Sequence, residues 1–120
     1  MSTRRLAVLA LAALVLAACS VQLRTAPAAV PGCDDALGSG RLVVDSRSGL
    51  GLADGSGRIT PILWPFGYTA RRDPAGVTLV GHKGEVLARE GDFVQAAGGT
   101  GADGVFAVCD GTVRVVPPSG

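Results

Sequence analysis

Along most of this chain the apolar positions come in short bursts, each cut off by glycine, aspartate or proline before a helical repeat can form. Such runs occupy residues 41–45, 50–53, 58–63, 68–72, 77–80, 85–89, 93–97, 105–109 and 112–116. No window of about twelve residues repeats its apolar positions at helical spacing, and turn signals recur roughly every eight to twelve residues, the mark of strands. Asp54-Gly55-Ser56-Gly57 and Asp73-Pro74-Ala75-Gly76 are expected to be turns, the latter with a proline to set φ and a glycine to accept positive φ. Gly81-His82-Lys83-Gly84 is expected to connect a hairpin, residues 98–104 to form a flexible loop, and Asp110-Gly111 to close a last hairpin. The pattern predicts an all-β domain. A small barrel of OB or SH3-like type removes exposed strand edges most economically at this size, with a small β-sandwich as the alternative.

The first stretch follows a different rule. Arg4 and Arg5 precede an uninterrupted apolar run over residues 6–18, thirteen positions long. A membrane-crossing helix needs about 20 such residues, so this run suits the core of a cleaved signal peptide. It ends in Leu16-Ala17-Ala18-Cys19, which resembles the lipobox of bacterial lipoproteins. The resemblance implies cleavage before Cys19 and acylation of its thiol. It also implies a mature chain outside the cytoplasm, held on the outer face of the plasma membrane, or on an outer membrane if there is one. Two or more acyl chains give stable anchoring where one gives only marginal binding. Residues 20–32 (SVQLRTAPAAVPG) show no apolar period and read as a Pro/Ala tether reaching up to about 40 Å. The expected organisation is therefore a signal peptide at 1–18, a lipidated cysteine and tether at 19–32, and the β-domain at 33–120.

With Cys19 assigned to lipid, Cys33 and Cys109 remain as a pair in a compartment that permits disulfides, and they are expected to bond to each other. On the chain-entropy model a bridge across that separation stabilises by about 4 kcal/mol, which matters for so small a core. Two thiols and the single His82, far apart in sequence, lack the close spacing of a zinc site, so no metal or cofactor is expected. Removing residues 1–18 takes two of the 11 basic residues and none of the 10 acidic ones, which leaves the mature chain at −1. That balance gives no support to a nucleic-acid partner.

Candidate chemistry concentrates in Trp64-Pro65-Phe66-Gly67-Tyr68-Thr69-Ala70-Arg71, which holds the single Trp and the single Tyr. Together with residues 84–92 and Gly98-Gly99, this segment resembles a WPxGY-type pattern of small secreted bacterial proteins, a likeness over residues 50–109 that implies no activity. Run as a strand, the segment puts Trp64, Phe66 and Tyr68 on one face. That face is either core or an open groove in which the aromatics stack on a ligand while Arg71 and Arg72 hold a polar or anionic group. Core is the expectation for Trp64, with Tyr68, Arg71 and Arg72 at an exposed edge. His82 sits in a turn, Asp34-Asp35 in the tether, and Glu90, Asp92, Asp54, Asp103 and Asp110 beside glycines, where acids commonly bond local backbone. The glycine-rich 98–104 stretch lacks the ending of a phosphate loop. The expected function is a non-enzymatic envelope module that binds a protein, peptide or glycan. The alternative is a small hydrolase that uses His82 or the turn carboxylates.

Overall fold

The computed structural model describes residues 20–30 and 32–117; residues 1–18 and Cys19, with the signal and lipid assignments made for them, lie outside the described residues. The described chain is all-β, in eleven strands: β1 (Ser20–Val21), β2 (Ala36–Asp45), β3 (Gly49–Ala53), β4 (Ile59–Thr60), β5 (Ile62–Leu63), β6 (Thr69–Asp73), β7 (Gly76–Val80), β8 (Val86–Arg89), β9 (Phe93–Thr100), β10 (Phe106–Val108) and β11 (Arg114–Val115). One sheet runs β4-β3-β2-β9-β10-β5 with β11 also on β9; a second, four-stranded sheet runs β1-β6-β7-β8.

The larger sheet curls into a nearly closed barrel, and Pro61 is where it closes. β4 and β5 are the two halves of one extended stretch at opposite ends of the strand order, β4 pairing with β3 and β5 with β10. Proline has no N–H to give a ladder, so it marks the point where the chain can leave one partner for another. Its carbonyl still accepts the Phe106 amide at 3.0 Å. The turn between β2 and β3 holds the stretch on both sides of the proline. Arg47 Nη2 donates to the Ile59 carbonyl at 3.1 Å, and the buried Ser48 hydroxyl accepts the Ile62 amide at 2.8 Å while donating to Asp45 at 3.0 Å.

Both sheets feed one core. Leu42, Leu50, Leu52, Ile62, Trp64, Val94 and Phe106 come from the barrel side, and Ala70, Val77, Leu79 and Ala88 from the second sheet. Trp64 is fully buried, and its Nε1 donates to the Leu50 carbonyl at 2.9 Å, so its one polar atom is satisfied inside the core. The Phe106 ring lies against Gly38 of β2 and Gly98 of β9, and a Cβ at either glycine would sit within 2.9 Å of the ring.

The strands and the turns at 54–57, 73–76 and 81–84 form where the apolar runs place them. Three expectations need correction. Residues 20–26 are not a free tether: β1 pairs with β6, Leu23 and Ala26 are buried, and Arg24 exchanges backbone bonds with Ser48 and Trp64. A stretch with only two well-placed apolar side chains has no visible period, yet the backbone pairing docks it. The second correction concerns Gly98-Gly99-Thr100, which belong to β9 rather than to a flexible loop. The missing side chains of Gly98 and Gly99 let the Ala107 carbonyl, the Phe106 ring and Asp34 approach closely. The reversal itself is confined to residues 101–104, with the Gly104 amide bonded to the Gly101 carbonyl at 3.0 Å. Third, Asp110-Gly111 does not close a hairpin. β10 and β11 both run antiparallel to β9, pairing Val108 with Gly98 and Arg114 with Gln95, so residues 109–113 bulge out of one interrupted strand. Thr112 fastens the bulge, its hydroxyl donating to the Cys109 carbonyl at 2.7 Å and accepting the Ala97 amide at 3.1 Å.

Cys33 and Cys109 form the expected disulfide, with Cα atoms 5.7 Å apart. It ties the approach to β2 to the start of the bulge. Reduction should lower the melting temperature by many degrees, as loss of about 4 kcal/mol implies for a domain of this length. Trp64→Ala should cost about 3 to 5 kcal/mol through the cavity it leaves. Chemical denaturation of the oxidised, reduced and Trp64→Ala proteins measures both.

Candidate functional site

The segment from Trp64 to Tyr68 is not an extended strand. Pro65-Phe66-Gly67-Tyr68 folds into a tight turn in which the Tyr68 amide donates to the Pro65 carbonyl at 3.2 Å. Gly67, third in the turn, has φ +84°, the left-handed value a type II turn demands there, and a Cβ on it would meet His82 Cβ at 2.9 Å. The turn breaks the alternation expected for the three aromatics. Trp64 and Tyr68 go inward while Phe66, at the tip, is left 54% exposed.

Phe66 stands at the rim of a groove of about 470 Å³ beside the disulfide. One wall is the strap that leads to the disulfide, contributing Ala28, Ala29 and Val30; the other is Leu63, Trp64 and Pro65 with Ala107 and Val108. Cys33 and Cys109 line it, and the carboxylates of Asp34 and Asp110 are the charged groups in an otherwise apolar lining. Arg71 and Arg72 are exposed on β6, as expected, but they do not line this groove, and Tyr68 does not either. The five residues proposed from sequence as one ligand surface are therefore divided. Phe66 is exposed at the groove, and Trp64 lies in the core behind its lining. Tyr68 is buried in the core rather than at the exposed edge expected for it, and the two arginines lie elsewhere, on β6.

Behind Phe66 lies a small polar cluster that joins the two sheets. The bulge at 109–113 carries Asp110 toward the second sheet, where Oδ1 accepts the Tyr68 hydroxyl at 2.9 Å and Oδ2 lies 3.0 Å from His82 Nε2. The Tyr68 oxygen in turn accepts the Gly111 amide at 3.3 Å. His82 is thus more than the turn decoration its glycine neighbours suggest, since it shares Asp110 with the phenol. Burial is the main reason that the Tyr68 pKa is pushed up to about 12; the Gly111 amide opposes the shift, and the hydrogen bond to Asp110 and its charge add to it. The phenol is consequently a proton donor held on a carboxylate rather than a nucleophile.

The remaining acids behave as turn residues. Asp54 accepts the Ser56 hydroxyl at 2.6 Å and the amides of Ser56 and Arg58, and those bonds hold its pKa below the usual carboxylate value. Among the described residues, no group of three His, Cys, Asp or Glu side chains is placed to hold a metal. No helix among them is long and apolar enough to cross a membrane. No family model, curated protein or solved structure matches the chain.

The raised Tyr68 pKa has a definite sign. The fold favours the neutral phenol, so its stabilising contribution is complete below about pH 10 and is lost as pH climbs from about 10 to about 12. Because Tyr68 is the single tyrosine, an ultraviolet titration of tyrosinate reads it alone. The folded protein should titrate near 12 and the denatured chain near 10, and Asp110→Asn should bring the folded value down.

Proposed function

We propose that the chain is a lipid-anchored extracytoplasmic module that binds an apolar peptide segment carrying a basic residue, in the groove beside the Cys33–Cys109 bridge. The carrying observation is the position of Phe66. A large aromatic ring is held half out of the fold by a turn whose proline and glycine fix its backbone, at the rim of a cleft walled by Val30, Leu63 and Ala107. Exposed aromatics on rigid supports are the usual anchors of binding surfaces, because they present large area and lose little entropy on binding. Asp34 and Asp110 are the charged residues lining the cleft, and both are acidic, which favours a cationic side chain. Anchoring through Cys19 and export by residues 1–18 complete the reading, and a disulfide is compatible with that location.

The hydrolase alternative draws on one specific contact, that of His82 with Asp110. The Tyr68 hydroxyl, however, donates to the same carboxylate rather than to the imidazole, so this hydroxyl is not set up to be activated by His82. The contact is better used as a brace that fixes Asp110 beside the groove.

Two measurements test the proposal. Intact mass of the envelope form should show a chain starting at Cys19 with added acyl mass, and Cys19→Ser should release the protein or stall its processing. For the groove, a synthetic extended peptide of Leu, Val and one Lys should bind, and its Glu counterpart should bind at least tenfold more weakly. Phe66→Ala should weaken the Lys peptide by more than about 1 kcal/mol while changing stability by no more than about 0.5 kcal/mol. Equal binding of the two peptides, or binding unaffected by Phe66→Ala, would sink the groove assignment.

A further inference from the structure

The described fold begins with Ser20, the residue immediately after Cys19, and Ser20 is already in a ladder, paired with Arg71. On the lipoprotein reading, on which this inference rests, no free residue separates the acylated cysteine from the folded domain. The bilayer surface must then lie within one residue of β6, and whatever surrounds Ser20 faces the lipid headgroups.

That neighbourhood is basic. The register sets Ser20, Arg71, Thr78 and Arg89 side by side across β1, β6, β7 and β8, while the next row, Val21, Ala70, Leu79 and Ala88, turns into the core. Arg71 and Arg89 therefore share the outer face of the second sheet on either side of the buried Thr78, whereas Arg72, exposed but paired with the buried Val77, belongs to the opposite face. The acids at this end are turned to the backbone. Asp73 accepts the Ala75 amide at 2.9 Å, Glu90 the Val77 amide at 3.0 Å and Asp92 the Arg89 amide at 2.9 Å. Among the described residues no ion pair engages Arg71, Arg72 or Arg89.

We infer that this face of the second sheet, with Arg71 and Arg89, docks on anionic phospholipid headgroups and fixes the orientation of the anchored domain. Juxtamembrane arginines are attracted to anionic lipid within about a Debye length, roughly 8 Å at physiological salt. Arg71, on the strand paired with Ser20, is inside that range directly, and Arg89, two strands further on, comes inside it when this face lies flat on the bilayer.

The test uses the mature acylated protein, its lipid verified by intact mass, in vesicles of phosphatidylcholine alone or with phosphatidylglycerol. A dye on Ala75→Cys, in the turn beyond Arg72, is compared with one on Ser56→Cys, in the turn at the far end of β3 from the docked N-terminal segment. A headgroup spin-labelled lipid should quench the Ala75 position severalfold more than the Ser56 position when phosphatidylglycerol is present. High salt or the R71E/R89E double variant should remove most of that difference, while circular dichroism shows the variant folded. Equal quenching of the two positions in verified acylated protein, or a difference indifferent to phosphatidylglycerol, would overturn the docking. A chain that carries no acyl group refutes the lipoprotein reading itself, and the docking with it.

Discussion

The architecture depends on how one short stretch, residues 59–63, is held at Pro61. A proline cannot complete a ladder, and here its missing donor separates an antiparallel pairing with β3 from a parallel pairing with β10. Without the Ser48 hydroxyl on the Ile62 amide, a buried donor next to the proline would lack its partner, at a cost of about 1 to 3 kcal/mol. The β2–β3 turn is thus more than a connection, because it clamps both flanks of the closing stretch and also receives the N-terminal segment through the Ser48 carbonyl.

Everything at the site hangs from that closure. Leu63 and Trp64 continue directly from β5, so the strand that completes the barrel also supplies one wall of the groove and leads into the turn that expels Phe66. The opposite wall is fixed by the disulfide and by the bulge after β10. The bulge residue Asp110 serves two ends at once: it lines the groove and it accepts the Tyr68 hydroxyl from the second sheet. Groove and inter-sheet brace share a residue, which couples the shape of one to the integrity of the other.

The all-β class, the disulfide and most strands were legible because each has a local cause: apolar runs of strand length, turn chemistry at Asp73-Pro74-Ala75-Gly76, and an even pair of remaining cysteines. The burial of Trp64 was anticipated as well. What escaped notice depends on partners remote in sequence. Leu23 and Ala26 gain their places only through Ser48 and Trp64, and the bulge at 109–113 exists because β10 and β11 both follow β9. The role of Asp110 could not be read from a glycine neighbour. The exposure of Phe66 did leave a signal, since the glycine after it supplies the positive φ that the third position of a type II turn requires and a strand does not.

The docked N-terminal segment has a mechanical consequence. A pull on Ser20 loads first the two-residue ladder of β1, then the bonds of Arg24 and Ala26 to Ser48 and Trp64, and finally meets the Cys33 bridge, where extension stops. Tension can therefore spool out residues 20–32, about 45 Å of chain at full stretch, while the covalent stop holds back the barrel. The stretch at rest is a strand and a groove wall; under load it becomes a leash of fixed length, and paying it out dismantles the wall formed by Ala28, Ala29 and Val30. Force along the chain and occupancy of the groove then oppose one another.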